Sequence, residues 1–178
     1  MEYRVLGKTG LRVSEVGFGC GSVGGLMVRG TFQDQVRAVR RALDLGINYF
    51  DTAPSYGNGL SETNLGAVLR ELRPQAFVAT KVGLQPEDLE DIRGVVRRSV
   101  EGSLQRLGRD SVDVLQLHTR ITERRGAEGG SLGVEDVLGP GGVADALEAV
   151  RARGLTRFIG LTGLGETPAL HRAVASGR

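Results

Sequence analysis

Ala76-Phe77-Val78-Ala79-Thr80-Lys81 is followed by apolar residues at Ile92, Val95, Val96, Val100, Leu104 and Leu107, then by Val112-Asp113-Val114-Leu115-Gln116-Leu117-His118. The first and last runs are short, apolar and rich in strand-forming residues. The middle positions recur at helical spacing, and Gly108 follows as the residue that ends the helix. A strand, a helix and a second strand in that succession imply a right-handed crossover between parallel strands. The runs are apolar at nearly every position, as expected when helices cover both faces of a sheet.

The same alternation extends outward in both directions. Before this stretch lie a short run Val16-Gly17-Phe18, a helix over Gln33–Leu45 carrying Val36, Val39 and Leu43, and a strand Ile47–Phe50. Gly46 is the expected C′ residue of that helix. A helix over Ser61–Leu72 follows, with Leu65, Val68, Leu69 and Leu72 on one face, Ser61 as candidate N-cap and Pro74 as the stop. After it come Thr119–Gly142, expected as a long Gly-rich polar loop, then a helix marked by Val143, Leu147 and Val150 and ended by Gly154. Arg157–Leu161 reads as the fifth strand and Leu170–Ala175 as the fifth helix. Tyr3–Leu6 and Leu11–Val13 flank a Gly7-Lys8-Thr9-Gly10 turn, the pattern of a hairpin. The chain is therefore expected to be one α/β domain over residues 1–178, with about five βα units behind the hairpin. An open doubly wound sheet and part of an eight-stranded barrel both fit.

Composition narrows the classes of function. With 178 residues and 40% hydrophobic content, the chain can bury a real core. No apolar run approaches the ~20 residues needed to span a bilayer, and Met1-Glu2-Tyr3-Arg4 opens no signal peptide. Neither a membrane nor a secretory route is expected. Cys20 is the sole cysteine, which excludes an intrachain disulfide, suits a reducing cytoplasm and gives no cysteine-based metal site. The net charge is +2 with a sequence pI near 9.0. The arginines are scattered without interleaved aromatics, so no nucleic-acid partner is expected. Lysine occurs only as Lys8 and Lys81, which makes a lysine at a strand end unlike a casual surface charge.

Two motifs are decoys. Gly19, Gly21 and Gly24 spell G-x-G-x-x-G, but a dinucleotide fingerprint needs a helix to open at once. Gly25-Leu26-Met27-Val28-Arg29-Gly30 intervenes, and helical periodicity resumes only at Gln33. Gly7-Lys8-Thr9 lacks the glycine that a phosphate-binding loop places five residues before its Gly-Lys pair, where Glu2 stands. Cys20 reads as a buried, inert thiol.

Four residues stand just past apolar runs: Asp51, Lys81 and His118 directly, and Tyr56 one short turn beyond Asp51. Strand ends of one sense gather on one face of a parallel sheet. A tyrosine hydroxyl, with a pKa of roughly 10, protonates a carbonyl oxygen more readily when a nearby ammonium favours its phenolate. A carboxylate holds that ammonium charged, and an imidazole orients the carbonyl. The carbonyl carbon must then be attacked. No serine, cysteine or metal constellation supplies the nucleophile, so a hydride donor is expected.

These residues resemble the aldo-keto reductase superfamily. Asp51-Thr52-Ala53-Pro54-Ser55-Tyr56-Gly57 with Ser61-Glu62-Thr63-Asn64-Leu65-Gly66 is similar to its first signature. Thr80-Lys81-Val82-Gly83 and Asp113–His118 are similar to its third- and fourth-strand motifs, and Leu6–Ser14 to the hairpin at the barrel's base in bacterial members. The resemblance implies a (β/α)8 TIM barrel and NADPH-dependent, reversible reduction of a small-molecule carbonyl, with NADH as the alternative donor. It gives Asp51, Tyr56, Lys81 and His118 the roles of a catalytic tetrad, and Gly19, Asp51, Thr162 and Gly163 those of cofactor-binding residues. Thr162-Gly163-Leu164-Gly165 replaces a Ser-Asn pair common after strand five and is similar to the sugar-dehydrogenase-like branch, which points to an aldose. The sequence carries about five of the eight units, and the family's strand-six glutamine, strand-seven aromatic and basic loop for the adenosine 2′-phosphate have no counterpart in it. Open strand edges would then favour self-association. The competing expectation is a non-catalytic half-barrel module completed by a partner.

Overall fold

A computed structural model describes residues 1–21 and 23–178; Ser22, inside the Gly19–Gly24 motif, lies outside the described residues. The chain divides into two compact units, one formed by residues 1–80 and 102–114, the other by 81–101 and 115–178.

The first unit opens with an antiparallel hairpin of β1 (Tyr3–Val5) and β2 (Arg12–Ser14), in which Val5 pairs with Arg12. Gly7 and Gly10 take the positive φ values of 50° and 72° that the turn between them demands. β3 (Phe18–Gly19) leads through the four-residue helix α1 (Leu26–Arg29) to α2 (Phe32–Asp44). Thr31 caps α2 by accepting the Asp34 N–H at 3.2 Å, and Gly46, at φ 88°, ends it as expected. β4 (Tyr49–Asp51) runs parallel to β3 and to β5 (Phe77–Val82), with Gly19 opposite Asp51 and Asp51 opposite Ala79. Between β4 and β5 lies α3 (Leu60–Leu72), which buries Leu65, Val68 and Leu69. Gly66 lets α3 lie against the end of α4 (Ile92–Leu107): a Cβ there would stand 2.5 Å from the Leu107 carbonyl oxygen.

The second unit takes up the last residues of β5, a 3-10 turn at Pro86–Asp91 and the start of α4. It continues with the end of β6 (Val112–Leu117), then β7 (Ile121–Thr122), β8 (Leu132–Gly133), α5 (Val134–Leu138), α6 (Val143–Ala152), β9 (Thr156–Leu161) and α7 (Thr167–Ala175). The main strands follow one another in the order β3-β4-β5-β6-β9, the sequential order that repeated βα units generate. β5 and β6 are buried almost throughout, whereas β9, the last in that order, is half-exposed along most of its length. Among the described residues, no helix is long and apolar enough to cross a membrane.

Four local expectations are corrected. The segment Thr119–Gly142 is not a plain loop. β7 and β8 pair in parallel within it and α5 follows directly, because Ile121, Leu132, Val134 and Val137 supply buried apolar anchors. Ser61 does not cap α3. Gly59 occupies that position with a left-handed φ of 88°, and Ser61 lies inside the helix, fully buried. Helix formation resumes at Leu26 rather than at Gln33, although α1 is a single turn. Lys81 belongs to β5 itself rather than following it.

Candidate active site

In the first unit, β4 delivers Asp51 at its last residue. Backbone bonds hold that strand end from both sides: the Cys20 N–H donates to the Asp51 carbonyl, and the Thr52 N–H to the Ala79 carbonyl, each at 2.9 Å. The chain then turns sharply. The Tyr56 N–H donates to the Ala53 carbonyl at 3.1 Å, and Gly57, Asn58 and Gly59 take successive positive φ values of 62°, 51° and 88°. Only glycine, and to a lesser degree asparagine, adopts such a run without large strain. Gly57 also lacks room, since a Cβ there would meet Val28 Cγ1 at 2.5 Å. The turn lays the Tyr56 ring against Gly21, where a Cβ would stand 3.9 Å from two ring carbons. Asp51 and Tyr56 are both half-buried. Tyr49, two residues before Asp51, has its phenol pushed up to about 12, first by burial and then by the charges of Asp51 and Asp113.

In the second unit, Lys81 is almost wholly buried, at 4% exposure. Its neighbour Val82 offers its carbonyl to the His118 N–H at 2.8 Å, which ties His118 beside the end of β5. Thr119 locks the next step: its Oγ1 accepts the Leu84 N–H at 2.8 Å and donates to the Leu84 carbonyl at 2.9 Å. His118 faces a cleft of about 240 Å3 whose wall includes Gln85, Arg120, Gly130 and Leu164. After β9, Thr162 bonds back to the Leu117 carbonyl through its N–H at 3.1 Å and its hydroxyl at 3.2 Å. Gly163 then takes a φ of 65°, with open space where a side chain would be.

Sequence reasoning placed these residues just past apolar runs, and the structure has Asp51 closing β4, Tyr56 in the turn behind it, Lys81 inside β5 one residue from its end and His118 just past β6, with Asp51 and Tyr56 in one unit and Lys81 and His118 in the other. It missed Glu62 and Arg106. Glu62 is a fully buried carboxylate that accepts from Thr80 Oγ1 at 2.5 Å and from Arg106 Nε at 2.7 Å. Its signal was available, since Glu62 stands three and seven residues before Leu65 and Leu69 on the buried stripe of α3. Gln85, Arg120 and Gly130 carried no comparable signal.

Residues 15–173 match the model of the Aldo/keto reductase family. The chain is 42% identical over 167 residues to L-galactose dehydrogenase of Arabidopsis thaliana, covering 92% of this chain and 49% of that relative. It is 36% identical to D-threo-aldose 1-dehydrogenase of a Pseudomonas species, covering 93% of this chain and 54% of the relative. Among solved structures it is similar to the holo form of an aldo-keto reductase from Bacillus halodurans, with TM-score 0.75, 28% identity and coverage of 99% and 54%. An aldo-keto reductase from Klebsiella pneumoniae in complex with NADPH aligns with TM-score 0.72, 27% identity and coverage of 97% and 54%. The chain thus spans about half the length of the relatives it matches.

Proposed function

The chain belongs to the aldo/keto reductase family, and on that premise we propose that it serves the NADPH-dependent, reversible reduction of an aldehyde, ketone or sugar carbonyl to the alcohol, with Tyr56 as general acid and base. The observation that carries this assignment is the placement of four proton-handling side chains at successive strand ends: Asp51 closing β4, Tyr56 in the turn behind it, Lys81 near the end of β5 and His118 just past β6.

In this scheme the Tyr56 hydroxyl gives its proton to the carbonyl oxygen during reduction and recovers it during oxidation. The Lys81 ammonium, buried and therefore poorly screened, stabilises the phenolate left behind. The Asp51 carboxylate draws that ammonium into place, and His118 donates a hydrogen bond that fixes the carbonyl oxygen. The cofactor's part is to supply the hydride that reaches the carbonyl carbon. Residues suited to its nicotinamide end are present. Gly19 is exposed with no atom within 4 Å of where a Cβ would stand, Gly163 offers the same open space, and Thr162 Oγ1 retains acceptor capacity beside its bond to Leu117. Support for a sugar substrate comes from the names of relatives, an L-galactose dehydrogenase and a D-threo-aldose 1-dehydrogenase, and from the polar wall of the cleft at His118.

Tyr56→Phe tests the acid. Turnover is expected to fall by about 10²–10⁴-fold, while NADPH binding, followed by fluorescence, stays near the wild-type level; turnover retained in the variant defeats the assignment. A second reading, a non-catalytic module completed by a partner, is favoured by the half-exposed β9 alone. The same titration separates the two, because a module without a working cofactor site gives no saturable NADPH signal.

A further inference from the structure

We propose that Ser61 and Glu62, the pair in the first turn of α3, are positioning residues that set the strand ends and the turn bearing Asp51, Tyr56 and Lys81. The proposal rests on the tetrad assignment above and deepens it.

Both residues are 0% exposed. A buried hydroxyl and a buried carboxylate are costly unless polar partners surround them, and here the partners are strand ends. Ser61 Oγ donates to the Cys20 carbonyl at 2.9 Å and shares a 2.8 Å hydrogen bond with Oγ1 of Thr52, the residue after Asp51. The Ser61 N–H donates to the Tyr56 carbonyl at 3.2 Å, closing the turn that carries the phenol. Glu62 accepts the hydroxyl of Thr80, the residue before Lys81, at 2.5 Å. Its other oxygen accepts from Arg106 Nε at 2.7 Å. The Arg106 stem in turn fills the space beside Gly59, where a Cβ would stand 2.8 Å from Arg106 Cδ.

The helix itself does not require this arrangement, since its N-cap is Gly59 and neither Ser61 nor Glu62 caps it. Nor does the sheet, whose backbone pairing already joins β4 to β5. What the side chains add is orientation. Successive residues of a strand point to opposite faces, so holding the Thr80 side chain toward α3 commits Lys81 to the other face. Holding Thr52 does the same for the strand end at Asp51.

The test uses the full chain as wild type, S61A, E62Q, T80V and T80S. Threonine and valine are close in shape, so T80V removes the bond to Glu62 with little change in volume. T80S restores the hydroxyl. Crystal structures are expected to show the Lys81 Nζ or Tyr56 Oη displaced by about 1 Å in T80V and returned in T80S, and a displacement of that size costs on the order of 10²-fold in rate. With NADPH and a small aldehyde, kcat per folded molecule should accordingly fall by about 10²-fold in T80V and E62Q while KM for NADPH holds, with T80S recovering most of it. Unmoved side chains in T80V, or a lower melting temperature with unchanged kcat per folded molecule, would overturn the proposal. If wild type turns over no carbonyl, the proposed reaction falls, and the side-chain positions alone still judge Ser61 and Glu62.

Discussion

Tyr49 is a phenol two residues before Asp51 on β4, and its surroundings hold its proton. Tyr49 is pushed up to about 12, with burial the first cause and the carboxylates of Asp51 and Asp113 the next. It remains a neutral hydroxyl across the physiological range. Its folded-state value lies above the ordinary 10.0. Below pH 10 both states carry the proton and the difference has no effect. Between about pH 10 and 12 the unfolded chain ionises first, so stability falls as pH rises. Tyr49→Phe should therefore flatten the alkaline loss of thermal stability across that window relative to wild type. Equal slopes in a pH series of melting curves would show that the Tyr49 phenol is not held neutral by its surroundings. The position of Tyr49, one alternation before Asp51 on the same strand, was visible in the sequence. The second carboxylate, Asp113, was not, because its proximity depends on how β6 lies relative to β4.

The longer helices α2, α3, α4, α6 and α7 and the main strands were legible because each is an apolar repeat bounded by a turn residue. Gly46 ends α2 and Gly108 follows α4 where periodicity placed them. The order in Thr119–Gly142 was not legible because it comes from side-chain contacts that no local repeat encodes. Arg172 on α7 pairs with both Glu123 and Glu135, and Arg125 holds the Asp136 carboxyl below its usual range through a hydrogen bond. Gly165 completes the fit. It has a φ of 122° and lies so close to Ile121 that any Cβ would run into that residue's backbone. The Glu166 N–H donates to the Ile121 carbonyl at 2.9 Å, so the close approach and the pairing are one feature. Gly165→Ala must both strain its own backbone and push Ile121 away. A loss of about 1–3 kcal/mol in chemical denaturation is expected from the backbone conformation alone. Faster amide exchange should be centred on Ile121 and Thr122, and uniform exchange across the chain would argue against a local lock.

The sheet order ends at β9, and an end strand presents a row of N–H and C=O groups that a neighbouring chain can pair with. Most natural edges are blunted by shortness, charge or a bulge. β3, at the other end, is only two residues long, whereas β9 has six, with Phe158, Ile159 and Leu161 each half-exposed. The Arg157 guanidinium, 5.6 Å from the centre of the Phe158 ring, covers only part of this apolar surface. Burying such a strip against a second copy gains on the order of 25 cal/mol for each Å2 of apolar area removed from water. The chain is therefore expected to self-associate with rising concentration, and β9 rather than the hairpin is the expected seam, because β1 has three residues and is paired with β2. Phe158→Lys places a charge in the middle of that edge, the device by which natural edge strands resist pairing. Sedimentation velocity across a concentration series should show the wild type shifting to larger species and the variant remaining a monomer. If both associate to the same extent, the contact lies elsewhere; Val5 and Val16, 59% and 55% exposed near the hairpin, are then the next residues to replace.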